Sequence, residues 1–155
     1  MNFDAMRATL NASVPFAHYT GVVVTALDAG RATATLPERS ETLNHVGSQH
    51  AGALFTVAEA ASGAAMVGAF GDLLATATPL VRDASIRYLK VARGAIVATA
   101  GLEGDLEALR SALADQSRVD FIVEVRLTDA GGVEVATMTV QWSIGARPSA
   151  AAGTA

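Results

Sequence analysis

The sequence contains no cysteine, few aromatic residues and no excess of positive charge. Without cysteine, the chain can form neither a disulfide nor a thiolate metal site. Its 11 lysines and arginines against 15 aspartates and glutamates give a formal net charge of −4, which offers no basic surface for nucleic acid or anionic lipid. The three histidines lack the spacing of a helical zinc motif, and there is no glycine-rich phosphate loop, so we expect neither a metal nor a cofactor.

What the sequence has instead is a large share of small apolar residues. Of its 155 residues 51% are hydrophobic, and alanine alone supplies about one residue in five. This composition is too apolar for a disordered chain, and the length suffices for one domain that buries its own core. The small side chains indicate that backbones pack closely somewhere in the fold.

The densest run of small residues, AGALFTVAEAASGAAMVGAF at positions 51–70, has the length of a membrane-spanning helix. Glu59 argues against a span, because an acidic group near its centre costs about 2.5 to 3.5 kcal/mol, which alanine and glycine hardly offset. The first residues hold an early aspartate and no long apolar core, so they do not resemble a secretory signal. We therefore expect a buried helix in a soluble, cytoplasmic protein with no membrane partner.

The rest of the pattern predicts an α+β domain over residues 1–145. Apolar spacings of three and four indicate helices, and alternating or β-branched runs between turn residues indicate strands, one of which Pro79 could kink. The predicted helices are 3–12, 51–70 and 105–116, and the predicted strands are 21–27, 31–36, 76–91, 95–102, 119–127 and 133–144. This order favours an antiparallel sheet wrapped around the central helix, which requires small residues on that helix. Residues 146–155 are expected to be disordered.

Glu59 is the one acidic residue in the apolar helix. A buried carboxylate without a partner costs several kcal/mol and responds with a raised pKa. Its neighbours at three and four positions are Phe55, Thr56, Ser62 and Gly63, and none of them is a cation. Glu59 could therefore form the wall of a cavity, or it could point outwards or pair with an arginine from the sheet.

The segment before this helix is rich in polar side chains and glycine. It runs from Asn44 to Gly52 and leads into the first turn, where backbone N–H groups lack partners inside the helix. These N–H groups and the positive end of the helix dipole can bind an anion or a developing oxyanion. The simpler alternative is a cap by Ser48, with His50 on the surface. His50 and Glu59 are nine residues apart, about 13.5 Å along a helix, so the two need not touch.

The pattern N-x-x-G-x-x-H-A-G over residues 44–52, followed by Glu59, resembles the signature of hotdog-fold acyl-CoA thioesterases of the phenylacetyl-CoA and 4-hydroxybenzoyl-CoA type. Residues 84–94, ASIRYLKVARG, resemble the long strand, turn and glycine of the same family. The similarity covers roughly residues 20–144. It implies a hotdog fold and a thioesterase that hydrolyses a medium-chain or aromatic acyl-CoA, with coenzyme A as part of the substrate.

The resemblance also implies roles for individual residues. Glu59 becomes the catalytic carboxylate, as general base or nucleophile, and Asn44 places its amide near the carbonyl or the attacking water. The Ala51 N–H polarises the thioester oxygen, and His50 positions that turn or contacts the substrate. The residues expected to contact the substrate are Gly52, Phe55, Ser62 and Gly63. Those expected to contact coenzyme A are Lys90 and Arg93, for which solvated charges at a strand end are the alternative.

Family sites form between subunits, with amide and carboxylate from different copies, which implies a homodimer or a homotetramer built as a dimer of dimers. Two positions depart from the family pattern. Ala51 replaces the usual glycine after the histidine and narrows the approach to its amide, and Gly63 stands where the family often has serine or threonine. Two other functions stay open: a non-catalytic hotdog protein that binds acyl thioesters or fatty acids, and a hotdog hydratase or dehydratase, whose histidine motifs do not occur here.

Overall fold

One long helix lies against a six-stranded antiparallel sheet in the computed structural model, which describes residues 1–147. The helices are α1 (Phe3–Ser13), α2 (Pro15–Thr20), α3 (Ala51–Phe70) and α4 (Leu106–Gln116). The strands are β1 (Val23–Asp28), β2 (Arg31–Leu36), β3 (Ala77–Tyr88), β4 (Ile96–Leu102), β5 (Arg118–Thr128) and β6 (Glu134–Ala146). Their order in the sheet is β1-β2-β4-β5-β6-β3, so β1 and β3 form its edges. This architecture confirms the predicted α+β class and the hotdog arrangement of a sheet around a central helix.

The central helix α3 covers the predicted residues 51–70, a run without proline in which alanine favours helix. Twelve of its 20 residues are buried, and it packs on β1, β2, β4 and β5. A Cβ atom on Gly68 would collide with the carbonyl oxygen of Asp28, and one on Gly71, just after the helix, would collide with Met6. The glycine at position 68 therefore lets the end of β1 approach the helix closely, whereas at position 71 the flexible Met6 side chain could move aside. The helix is long and apolar enough to cross a membrane, but its burial is that of a core helix in a soluble protein.

The α1–α2 segment, residues 3–20, packs on α3 and β1. Helix α2 is not among the predicted elements. It begins at Pro15, whose fixed φ suits the first helical position, and it ends at Gly21, which has a φ of 78°. Asn11 ties α1 to β1, because its Nδ2 donates to the carbonyl oxygen of Val24 at 3.0 Å and its Oδ1 accepts from the Val24 N–H at 2.8 Å.

The edge strand β3 differs from the predicted strand 76–91 in its end and in its irregularity. Its pairing with β6 runs through Pro79, which an edge strand tolerates, and the register shifts instead at residues 81–83. The strand ends at Tyr88, because the next two N–H groups both bond to the carbonyl oxygen of Val135. The other predicted elements agree with the structure to within two residues at each end.

The last strand, β6, ends at Ala146, one residue past the predicted end of the domain. The predicted disordered tail over 146–155 lies outside the described residues from position 148 onwards. A single domain over residues 1–145 stays a prediction.

Candidate active site

His50 caps the N-terminus of α3. Its backbone is extended, with φ −68° and ψ 139°, and its ring nitrogen Nδ1 accepts a hydrogen bond from the N–H of Gly52 at 2.9 Å. A Cβ atom on Gly52 would lie 3.1 Å from that nitrogen, so glycine leaves room for the ring. The cap is therefore His50 rather than Ser48, and the imidazole holds the first turn in place.

Asn44 orders the loop that leads into α3. Its Oδ1 accepts hydrogen bonds from the N–H groups of Val46 and Ser48, both at 3.1 Å, and its Nδ2 donates to Ser48 Oγ at 2.9 Å. Gly47, with a φ of 72°, allows the turn between them. A primary amide carries two hydrogens on nitrogen, so Asn44 can donate a second bond to a substrate oxygen.

Ala51 carries the one first-turn N–H of α3 that has no acceptor among the described residues. The next three N–H groups bond to the ring or to the carbonyl oxygen of His50. Ala51 is exposed, and its own carbonyl oxygen accepts a hydrogen bond from the Tyr88 hydroxyl at 3.0 Å. A free N–H thus lies at the positive end of the helix dipole, where it can stabilise an oxyanion.

A groove of about 390 Å³ lies beside this helix start. Its lining includes Asn44, Ala51, Tyr88 and Lys90. Lys90 is exposed and forms no ion pair within residues 1–147. Arg93 is also exposed but does not line the groove. Of the two basic residues expected to contact coenzyme A, Lys90 alone lies beside the free N–H.

Glu59 lies two turns further along α3, in the wall of a cavity of about 180 Å³ between α3, β1 and the α1–α2 segment. In the part of the chain that the structure describes, its carboxylate forms no ion pair. Burial raises the pKa of the Glu59 carboxyl above its ordinary value. Glu59 therefore forms a cavity wall, and the alternative in which an arginine from the sheet pairs with it is wrong.

Most residues that line this cavity are not among those predicted from the sequence as part of the site. Among the described residues that line it, only Asn11 and Glu59 have polar side chains. Its apolar walls include Leu10, Val14, Val22 and Val24 on one side and Ala60 and Met66 on the other. The sequence points to these wall residues only through the apolar spacing that predicts the first helix. That spacing does not show which part of the fold the helix covers.

Of the residues expected to contact the substrate, Gly63 is the one that lines the Glu59 cavity. Ser62 is completely buried, and its hydroxyl donates to the carbonyl oxygen of Glu59 at 2.8 Å. Phe55 packs against the hydrophobic core and is not part of the cavity wall. Ser62 thus supports α3 from inside the core, whereas a contact between the half-buried Phe55 and a substrate stays a prediction.

One subunit does not bring the free N–H and the carboxylate together. Ala51 and Glu59 are eight residues apart on a continuous helix, which separates them by about 12 Å. In acyl transfer, the activating and polarising groups must both lie about 3 Å from the reacting atoms. A second subunit is therefore needed if both groups are to act on one thioester.

Within residues 1–147, no three histidine, aspartate or glutamate side chains come together in a way that could hold a metal ion. That the protein works without a metal and without a cofactor stays a prediction from the sequence.

One family model matches most of the chain. It is described as a domain of unknown function, DUF4442, and the match covers residues 4–144. No curated protein matches this chain significantly.

Several solved structures share this fold. A Pseudomonas aeruginosa protein of unknown function, described as a probable thioesterase, is 26% identical with a TM-score of 0.83, over 95% of this chain and 97% of that one. The E. coli PaaI protein from the phenylacetic acid degradation operon is 16% identical with a TM-score of 0.70, over 94% of each chain. A hypothetical thioesterase of Streptococcus pneumoniae, crystallised with coenzyme A, is 18% identical with a TM-score of 0.68, over 92% of this chain and 98% of that one. These similarities confirm the hotdog fold and the resemblance to hotdog-fold thioesterases.

Proposed function

This chain belongs to the DUF4442 family of unknown function, and we propose that it is an acyl-CoA thioesterase that hydrolyses a medium-chain or aromatic acyl thioester. The observation that carries the proposal is Glu59, a half-buried carboxylate without an ion-pair partner in the described residues, on the central helix of a hotdog fold. Its raised pKa makes it a stronger base near neutral pH than an ordinary glutamate. Hotdog-fold thioesterases among the similar structures, one of them crystallised with coenzyme A, support the same substrate class.

In the proposed reaction, Glu59 activates a water molecule. It accepts a proton while the water oxygen bonds to the thioester carbonyl carbon, and the N–H of the partner subunit's Ala51 stabilises the negative charge on the carbonyl oxygen. The C–S bond then breaks, the proton passes from Glu59 to the sulfur, and the products are the free acid and coenzyme A. A donor to the oxyanion is worth about 3 to 4 kcal/mol in comparable acyl transfers. Direct attack by Glu59 on the carbonyl, followed by hydrolysis of the anhydride, leads to the same products.

The rest of the helix start is proposed to position this chemistry. Asn44 orients the attacking water or the carbonyl with its remaining amide hydrogen. The thioester oxygen lies at the first turn of the partner's helix, so coenzyme A follows the groove beside that turn. There the partner subunit's Lys90 can contact the phosphates of coenzyme A. His50 acts on the reaction through the turn that it caps.

The site is proposed to form in a homodimer or a dimer of dimers in the cytoplasm. Strand β3 is a 12-residue edge strand that pairs with β6 alone in the described residues, and its Leu80 and Val81 are 55% and 41% exposed. Exposed apolar side chains on an open edge strand favour antiparallel pairing with a second copy of the same strand. A two-fold axis at this edge sets the two α3 helices antiparallel, so the start of one lies along the later turns of the other.

Hydrolysis of a panel of acyl-CoAs, followed by release of the free thiol, tests the proposal. We expect turnover of at least one medium-chain or aromatic acyl-CoA, and a loss of at least about a hundredfold in Glu59→Gln, the usual scale for a lost general base. The matched control is Glu107→Gln, an exposed glutamate on α4.

Unchanged turnover in Glu59→Gln would overturn the role of this residue. Tight binding of acyl-CoA without hydrolysis at any chain length would identify a non-catalytic acyl-thioester-binding protein instead.

A further inference from the structure

The cavity between α3 and the α1–α2 segment surrounds the Glu59 carboxylate with apolar side chains. We propose that this cavity, hereafter the acyl chamber, receives the acyl group of the substrate and limits it to about six carbon atoms, as a short unbranched chain or one aromatic ring. This inference rests on the proposed function.

The size of the acyl chamber sets the limit. Its volume is about 180 Å³. An apolar protein cavity of about 150 Å³ takes up one benzene molecule, so the chamber accommodates a group of roughly that size. Leu10, Val22 and Met66 lie in its walls, and a chain longer than the chamber would either displace side chains of this kind or leave its end outside the apolar walls.

The polarity of the acyl chamber points to an apolar ligand with one reactive end. Asn11, one of its two polar lining residues, has both its oxygen and its nitrogen bonded to the backbone of Val24. Glu59 is therefore the polar group that remains for a ligand to meet. A polar tail would lose its hydration without replacement, whereas an acyl thioester places an apolar tail in the chamber and its carbonyl carbon beside the carboxylate.

The position of the acyl chamber separates the two halves of the substrate. In one subunit, no residue among positions 1–147 lines both the chamber and the groove that contains Lys90. The acyl group therefore extends from Glu59 towards α1, and coenzyme A extends in the other direction, along the first turn of the partner's helix. The two bonds between Asn11 and Val24 hold α1 in place as the roof of the chamber.

Two variants with opposite expected effects test this assignment. Ala60→Leu fills the chamber and should reduce kcat/KM for hexanoyl-CoA by about 10- to 200-fold, the range for a mismatch of one or a few methylene groups, with little effect on acetyl-CoA. Leu10→Ala enlarges the chamber and should move the preferred chain length upwards by about two carbons. Ala108→Leu, at an exposed position on α4, is the matched control.

Binding measurements distinguish failure of the chamber from failure of the proposed function. Calorimetric titration in the Glu59→Gln background does not depend on turnover, and it should show that hexanoyl-CoA binds at least about tenfold more tightly than acetyl-CoA, an advantage that Ala60→Leu removes. If the wild type hydrolyses acyl-CoA but both variants keep its chain-length profile, the proposed role of the acyl chamber is wrong and the thioesterase assignment stands. If neither hydrolysis nor chain-length-dependent binding occurs, both proposals are wrong.

Discussion

The Nδ1 atom of His50 accepts a hydrogen bond from the N–H of Gly52 at 2.9 Å, and this bond caps the central helix. It also decides which first-turn donor stays free. The imidazole accepts a hydrogen bond from the Gly52 N–H, and the carbonyl oxygen of His50 accepts hydrogen bonds from the N–H groups of the next two residues. The Ala51 N–H is therefore left to face a ligand. His50 thus acts on the backbone of the first turn, and the Ala51 N–H that it leaves free is the donor proposed for the oxyanion.

Loss of this cap has a predictable cost. His50→Ala is expected to lower the free energy of unfolding by about 1 kcal/mol, the usual effect of removing an N-cap, whereas His50→Asn keeps a side-chain acceptor and should stay close to the wild type. Urea unfolding of the two variants measures the difference, with His45→Ala in the exposed loop as the control. Equal stabilities for His50→Ala and the wild type would show that the hydrogen bond does not hold the helix start.

The pH dependence of stability should report the burial of Glu59. Since burial raises its pKa above 4.5 in the folded state, the folded protein keeps this proton at pH values where the unfolded chain has released it. The contribution of the group to stability is therefore greatest at acidic pH and falls as the pH rises through the raised pKa. Glu59→Gln has no proton to lose, so its gain in stability over the wild type should be small near pH 4 and larger near pH 8.

Urea unfolding across this pH range measures the gain directly. Glu107→Gln, at an exposed glutamate, is expected to show no comparable trend with pH. A stability difference between Glu59→Gln and the wild type that stays constant from acidic to alkaline pH would mean that the folded state does not bind the Glu59 proton more tightly.

The edge strand β3 should control assembly. Replacing Leu80 and Val81 together with lysine places a charge on each side of the strand, and charges of this kind block edge-to-edge pairing. We expect a monomer at micromolar concentration in sedimentation velocity, and a loss of hydrolysis because the site is incomplete. Val133→Lys, at a position 38% exposed in the β5–β6 turn, is the control that should remain a dimer. A wild-type sedimentation coefficient for the Leu80 and Val81 double variant would place the interface elsewhere.

The parts of this fold that depend on local sequence could be predicted from it. Helix α3 follows from a long run of small residues without proline, and most strands follow from alternation between turn residues, because these signals act over a few neighbouring positions. The isolation of Glu59 also follows from its own neighbours in the helix. The family pattern over residues 44–52 adds the position of the helix start.

Features that depend on contacts between distant residues could not be predicted. A kink at Pro79 is one possibility in the sequence, but β3 lies at the sheet edge, where its pairing with β6 continues through the proline. Phe55 and Ser62 flank the acid in sequence, yet they face the core, while Leu10 and Val22 complete its cavity from another part of the chain. Periodicity shows that a helix has an apolar face, but it does not show which surface that face covers.

A mixed dimer can show whether one site combines the Glu59 carboxylate of one subunit with the Ala51 N–H of the other. Ala51→Pro removes only the N–H, because proline suits the first helical position and the extended backbone of His50 suits the residue before a proline. Glu59→Gln and Ala51→Pro homodimers should each lose about a hundredfold or more in hydrolysis.

A purified heterodimer of these two variants, made with two different affinity tags, has one doubly defective site and one intact site. We predict that it recovers about half of the wild-type kcat, since one of its two sites is complete. A heterodimer that stays as inactive as its parents would contradict a site shared between subunits.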